Sequence, residues 1–238
     1  MLEVRSRKAE LLDGPDCDPQ TALRSYKLMR VVNRFAGGTR AVTDFLSREV
    51  TRNGKGHTMR IVDLGCGVCD IPLAVARWAK GRGLDVSFTC IDTNETALAV
   101  AGERIEASDI DSIRLECADI NDFEPAEEYD YAIGSMFFHH FADEHIVALV
   151  GQLRRYVRSA VIINDLRRSA LSYACCRVMF SVLPRGVRHD ALLSIRKGFR
   201  RKELAELFKH IEGVDVHVHI LSFSRLVGIV RFRNGGCV

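Results

Sequence analysis

The sequence predicts an α/β fold: a mostly parallel seven-stranded sheet with helices on both faces, closed by an antiparallel hairpin and preceded by an N-terminal helical lid. Three observations carry this reading. Five apolar, β-branched runs (59–64, 85–91, 112–117, 129–134 and 157–164) alternate with helical segments or a loop, the pattern of a parallel sheet covered on both sides. The last two runs, 214–221 and 226–232, are joined by so few residues that a parallel crossover is excluded and a hairpin is required. Between the first run and its helix lies Gly65-Cys66-Gly67, a turn that lets a ligand approach the backbone.

Along the chain, residues 1–18 are polar and are expected to be loosely ordered. From 20 to 35, Leu23, Tyr26, Met29, Val32 and Phe35 recur at helical spacing, and Gly37-Gly38 stop that helix. A second helix is expected over 39–50 and a polar loop over 53–57. Helices 70–80 and 94–107 and the loop 120–127 separate the first four strands, and helix 142–155 precedes the fifth. After Asp165 the alternation breaks: 168–183 reads as an apolar helix, 184–197 as irregular, and 201–212 as a helix. The domain reading is an N-terminal helical lid, 1–57, on a domain of 58–238 with a helical insertion at about 168–199.

Composition narrows the function class. The chain is 47% hydrophobic and 27% charged with a formal net charge of +3, too diffuse for the concentrated basic stripe of a nucleic-acid binder. No signal peptide is visible, and no apolar run approaches the roughly 20 residues of a membrane span. A cytoplasmic protein, monomer or homodimer, is expected. Its eight cysteines then read as reduced thiols. Cys66 and Cys69 form a C-x-x-C without a second pair, so no metal is expected there.

Acidic residues close three successive strands: Asp63, Asp92 and Asp119. Ligands of open parallel sheets bind at the strands' carboxyl ends, so these carboxylates converge along one edge. Asp92 can accept from two vicinal hydroxyls of a ribose, each such charge-assisted bond contributing roughly 1.5–3 kcal/mol. A dinucleotide fits poorly. The third glycine of G-x-G-x-x-G falls on Asp70, whose charge would repel a pyrophosphate. No Tyr is followed four places later by Lys, so one common dehydrogenase pair is missing as well. A cofactor without phosphates suits the turn better.

These residues carry a resemblance. Val-Asp-Leu-Gly-Cys-Gly at 62–67 resembles the first motif, acid-x-Gly-x-Gly-x-Gly, of class I S-adenosylmethionine-dependent methyltransferases. Cys90-Ile-Asp92-Thr93-Asn94 resembles that family's ribose-binding strand end, and Cys117-Ala-Asp119-Ile120 its adenine-binding motif. Tyr-Asp-Tyr-Ala-Ile-Gly-Ser-Met-Phe-Phe-His-His-Phe at 129–141 is similar to the fourth strand and loop of small-molecule members related to quinone-biosynthesis enzymes. The resemblance spans about 58–232 and implies a Rossmann-like sheet with S-adenosylmethionine as cofactor. It implies that Gly65, Cys66 and Gly67 border the methionine moiety and that Asp63 faces its ammonium. Asp92 with Thr93 would hold the ribose, Asp119 and Ile120 would read adenine, and Ser135 would line the floor. Arg40 is a candidate for the cofactor carboxylate, although a solvated surface role suits it equally. The third motif glycine is replaced by Cys69, which the turn would tolerate at negative φ.

The cofactor brings a methyl group already activated by sulfonium, so the protein mainly aligns the acceptor and excludes water. A hydroxyl acceptor would be helped by a base titrating near neutrality, and His139, His140 and His189 are the candidates. His139 and His140 cannot both face the site in an extended loop; His189-Asp190 reads as an oriented pair or as a polar turn. The stripes Leu171, Cys175, Val178, Met179, Val182 and Tyr26, Met29, Val32 are expected to form a hydrophobic lid over the acceptor. The reading is methyl transfer to a small, fairly apolar acceptor, a phenolic or quinol-like oxygen, with carbon and nitrogen acceptors open. Its rivals are an NAD(P)-dependent oxidoreductase and a catalytically inactive cofactor-binding module. Nucleic acid methylation is disfavoured, since Ile133-Gly-Ser-Met136 stands where an Asn/Asp-Pro-Pro-aromatic motif would be.

Overall fold

A computed structural model describes residues 2–14, 18–54, 56–125 and 127–233. One sheet contains β1 (Met59–Leu64), β2 (Val86–Asp92), β3 (Ile113–Cys117), β4 (Tyr129–Ser135), β5 (Val157–Leu166), β6 (Val214–Ile220) and β7 (Arg225–Phe232). The strands lie in the order β3-β2-β1-β4-β5-β7-β6. β1 to β5 are parallel, and β7 runs antiparallel to both β5 and β6. The hairpin is therefore present, with its second strand inserted next to β5. Polarity explains that choice: β7 buries Leu226, Val227 and Val230, whereas β6 alternates polar residues and serves as the edge. Strand order reverses between β1 and β4, which opens a crevice at their carboxyl ends.

Eight helices are described: α1 (Pro19–Phe35), α2 (Gly38–Asn53), α3 (Asp70–Lys80), α4 (Glu95–Glu106), α5 (Asp143–Leu153), α6 (Ala170–Met179), α7 (Arg185–Lys197) and α8 (Arg201–Leu207). Alternating strand residues feed two cores. Ile61 and Phe88 pack with α2, α3 and α4, while Val62 and Leu64 pack with α5 and α8 on the opposite face. Val42 and Leu46 of α2 are fully buried in the first core. Of the expected N-terminal lid, α2 thus belongs to the helical layer of the sheet. α1, begun by Pro19 and an Asp18 side chain that accepts from the Thr21 amide at 2.8 Å, packs near the strand ends.

Four expectations are corrected. Residues 184–197, read as irregular, form α7; its inward residues Val187, Leu193 and Ile195 are buried, but intervening arginines and His189 hide the stripe in the sequence. The outward face of α6 carries Leu171, Val178 and Met179, with Val182 on the 3-10 turn that follows, all at least 58% exposed. The inward positions are Ser172, Cys176 and Phe180, so the apolar stripe was assigned to the wrong side of that helix, with only Met179 reaching the pocket described below. Lastly, the described part of the polar start, 2–14, is held by specific partners. Arg5 stacks over Phe199 at 4.1 Å, pairs with Asp143 and donates to the Phe141 carbonyl at 3.0 Å. The Leu11 and Leu12 amides donate to the two oxygens of buried Asp190 at 3.0 and 2.9 Å. A short polar arm can be ordered when its partners are buried charges, which composition does not reveal. α8 also stops at Leu207, short of the expected 212.

Candidate active site

The turn after β1 contains three left-handed residues: Gly65 at φ +63°, Gly67 at +53° and Cys69 at +53°. Glycine suits the first two for different reasons. A Cβ on Gly65 would run into the Phe137 ring, whereas at Gly67 it would meet nothing, because that backbone faces open space. Cys69 takes the conformation that a third glycine would take, not the negative φ at which a side chain is readily tolerated, and it does so with its side chain fully buried.

The turn opens onto a cleft of about 820 Å³ at the strand ends. Gly65, Cys66 and Gly67 line it with Asp92, Thr93, Asp119, Ile120 and Ser135; Leu12, Tyr26, Met29 and Asn33 close it from the N-terminal side. Asp92 accepts from the Gly67 amide at 2.7 Å and from the Asn94 amide at 2.9 Å, so each oxygen keeps acceptor capacity towards the cleft. Burial raises its pKa against the pull of those amides. Asp119 is braced by the Asn121 amide and side chain at 2.9 and 2.7 Å. Ser135 Oγ accepts from Asn164 at 2.9 Å.

Two predicted residues lie elsewhere. Arg40 is outside the cleft: its side chain is 74% exposed on α2 and pairs with Asp44 at 3.2 Å. Asp63 is fully buried beneath the turn, and its Oδ1 has no hydrogen-bond partner. Burial, and then the neighbouring Cys69, Asp70 and Asp92, push its carboxyl well above the usual range.

The three histidines separate. His139 and His140 sit on a 3-10 turn, Phe138–His140, and stack at 4.3 Å between centroids. His139 is buried, with Nδ1 2.7 Å from Asp165 and Nε2 3.5 Å from Glu10. Burial lowers its pKa, but Asp165 and Glu10 outweigh that and lift it to about 9. It is an imidazolium at neutral pH and touches no cleft, so a base role is closed to it. His189 is exposed on α7, 3.1 Å from Asp190, and is neither in the cleft nor in a turn. His140 alone of the three lines the cleft. Its Nδ1 lies 3.2 Å from Lys197 Nζ, which is also 3.2 Å from Glu10.

Beside the cleft is an apolar pocket of about 90 Å³ between α1, α6 and α7, lined by residues such as Leu28, Val32, Phe180 and Ala191. Leu12, Met29 and Met136 line both spaces. Met136 follows β4 with φ +54°. Its sulfur lies 3.7 Å from the guanidinium of Arg225, a fully buried arginine that donates to Asn33 at 2.9 Å. Asn33 in turn donates to Asp70 at 3.0 Å. Sequence reasoning missed this seam, together with Glu10, Asp165 and Lys197. Asp165 could have been found, since it lies at the end of β5 as Asp63 and Asp92 lie at the ends of theirs.

Comparison with known proteins bears on this geometry. Residues 61–160 match the family described as a methyltransferase domain. The fold matches the plantazolicin methyltransferase BpumL in complex with SAH, at TM-score 0.71 and 18% identity over 94% of this chain and 93% of that one. Residues 61–160 thus carry a methyltransferase domain, on a fold shared with methyltransferases bound to SAH. The same fold is found in magnesium protoporphyrin IX methyltransferase (ChlM) from Synechocystis PCC 6803 with bound SAH, at TM-score 0.54 and 14% identity over 82% and 84% of the two chains. A SAM dependent methyltransferase from Aquifex aeolicus matches at TM-score 0.56 and 14% identity over 78% and 88%. No curated protein sequence matches. The methyltransferase's cleft suits its cofactor: an orphaned Asp63 oxygen, and raised carboxyls at Asp63, Asp70 and Asp92, are what a cationic ligand would relieve. Among the described residues no helix is long and apolar enough to cross a membrane.

Proposed function

We propose that the enzyme methylates a small, neutral, largely apolar acceptor, a phenolic or quinol-like hydroxyl, held in the pocket between α1, α6 and α7. The observation that carries this reading is the shared wall: the pocket opens beside the cofactor cleft at Leu12, Met29 and Met136. Asp190 is the sole acidic residue among the pocket's described lining, and both of its oxygens already accept backbone amides. The pocket therefore offers a cationic amine little compensation for its lost hydration.

S-adenosylmethionine supplies the methyl group, already activated on sulfur. The chain's own residues then hold and align. Gly65 and Gly67 would offer backbone to the amino-acid end, Asp63 beneath would offer an oxygen to its ammonium, Asp92 and Thr93 would hold the ribose, and Asp119 and Ile120 would hold the adenine. α1 and Leu12 exclude water from the seam. An ammonium can only donate, so His140 Nδ1 must accept from Lys197. With Nδ1 accepting, His140 enters through Nε2 as a donor that orients the acceptor oxygen rather than as a base.

The test is methyl transfer from labelled donor to a panel of apolar phenols, hydroquinones and amines. O-methylated product is expected from the phenolic arm. Ala191→Phe, which fills the pocket, should abolish turnover with cofactor Kd unchanged, and His140→Ala should slow it about a hundredfold. Turnover confined to amines, or an undiminished rate in Ala191→Phe, would overturn the reading.

A further inference from the structure

Cys66, Cys69 and Cys90 come together beneath the cofactor turn. Each offers a sulfur, and the three sulfurs lie within 4.8 Å of one another, all in buried side chains. Two come from the turn and one from β2, so the cluster joins elements that only the fold makes adjacent. The C-x-x-C lacked a second pair in the sequence; the sheet supplies a third ligand instead. A trigonal set with metal–sulfur bonds of about 2.3 Å has its sulfurs roughly 4 Å apart, so only a small contraction is required.

Cys69 gives a second, independent reason. The turn calls for glycine there, and a residue with a side chain is strained in this left-handed conformation. The chain accepts that strain and points the Cys69 thiol inward to the other two. A small apolar residue would fill space as well without converging sulfurs. No disulfide joins them, and all three are free thiols.

We propose that Cys66, Cys69 and Cys90 form a binding site for one thiophilic closed-shell cation in three-thiolate coordination. The ligand count favours Cu+ over Zn2+. Structural zinc sites are almost always four-coordinate, and among the described residues no fourth His, Cys or carboxylate joins the three sulfurs. Soft thiolates alone are the set that monovalent copper takes. On binding, sulfur–metal bonds replace S–H bonds and the thiol protons leave to the buffer, with no change of oxidation state. Cys66 also lines the cofactor cleft, so an occupied site would hold the turn in the conformation that meets the cofactor.

The experiment loads the full chain anaerobically with Cu+ or with Zn2+ in the presence of a competing chromophoric chelator, then measures retained metal per chain. Wild type is expected to keep one Cu+ and to hold it more tightly than Zn2+. Cys69→Gly restores the residue that the turn prefers and should fold as well as wild type by thermal melting, yet retain none; Cys90→Ala should behave alike. Acidification should weaken retention, since protons compete for the sulfurs. The proposal is overturned if wild type retains no metal, if both variants retain as much as wild type, if Zn2+ is held in preference, or if intact-mass analysis finds the cysteines joined as a disulfide instead.

Discussion

The cleft at the strand ends and the apolar pocket proposed for the acceptor share a wall at Met136 but are assembled differently. The cleft is lined by residues that directly follow β1, β2, β3 and β4 in sequence, with α1 as its outer wall. The pocket is closed by segments from opposite ends of the chain: the N-terminal arm and α1 against α6, α7 and the end of β5. The family match, 61–160, covers the first set and stops before most of the second. On the proposed function a common cofactor constrains the first half, and the half that would meet the acceptor is free to differ. Buried charge holds that second half in place. Glu10, His139, Asp165 and Lys197, every one nearly inaccessible, bind the arm to the strand ends and α7.

If that contrast is real, the largest effect comes from breaking the charge cluster. Asp165→Asn leaves the His139 imidazolium short of a partner and weakens the field that offsets burial of Arg225. Unpairing a buried charge costs about 3–5 kcal/mol. Denaturant unfolding should show that loss, and hydrogen exchange should rise first at the Leu11 and Leu12 amides. A loss below about 1 kcal/mol would mean that apolar packing, not charge, closes the pocket.

The same contrast explains what was legible in the sequence. The strands, the hairpin, α3 and the acids of the cleft follow from local patterns, because each acid stands at its own strand end and is read with that strand. The arm, α7 and the inward face of α6 depend on partners far away in the chain. Nothing near Glu10 in sequence announces that His139 and Lys197 will surround it. Likewise the periodicity of α6 was visible, but Ser172 and Cys176 face inward while Leu171 and Val178 face solvent, so hydrophobicity alone chose the wrong side. Cys69 looked like a defect in a motif until β2 brought Cys90 beside it.

The second effect sharpens the comparison through pH. Burial would raise the Glu10 pKa, but His139, His140 and Lys197 pull it from 4.5 down to about 2. A lowered carboxyl contributes stability that is complete above pH 4.5 and is lost as pH falls towards 2. His139, raised from 6.5 to about 9, contributes fully below pH 6.5 and loses its share as pH rises through 9. The cluster is therefore complete between about pH 4.5 and 6.5, the Glu10 limb amounting to about 3 kcal/mol. Thermal melts of Glu10→Gln should lose the acid limb below pH 4.5 that wild type shows. An unchanged limb would place the acid sensitivity elsewhere.

On the cleft side, effects should appear in affinity rather than stability. Asp92→Ala removes a carboxylate that braces the Gly67 amide and faces the cleft. The loss of about 1.5–3 kcal/mol expected for a charge-assisted bond predicts a roughly ten- to hundredfold rise in cofactor Kd by calorimetry. Unchanged affinity would remove the ribose assignment.

The smallest effect belongs to Arg40, the residue for which motif resemblance and structure disagree. Resemblance offered it to the cofactor carboxylate; the structure has it 74% exposed and paired with Asp44 at helical spacing. Exposed pairs of this kind contribute about 0.3–0.5 kcal/mol and are screened by salt. Arg40→Ala should therefore leave cofactor Kd within about twofold at both low and high ionic strength. A tenfold weakening that shrinks with added salt would show that α2 turns this guanidinium into the cleft when cofactor binds. The wall between the two regions would then move with the ligand, and the cleft could no longer be treated as preformed.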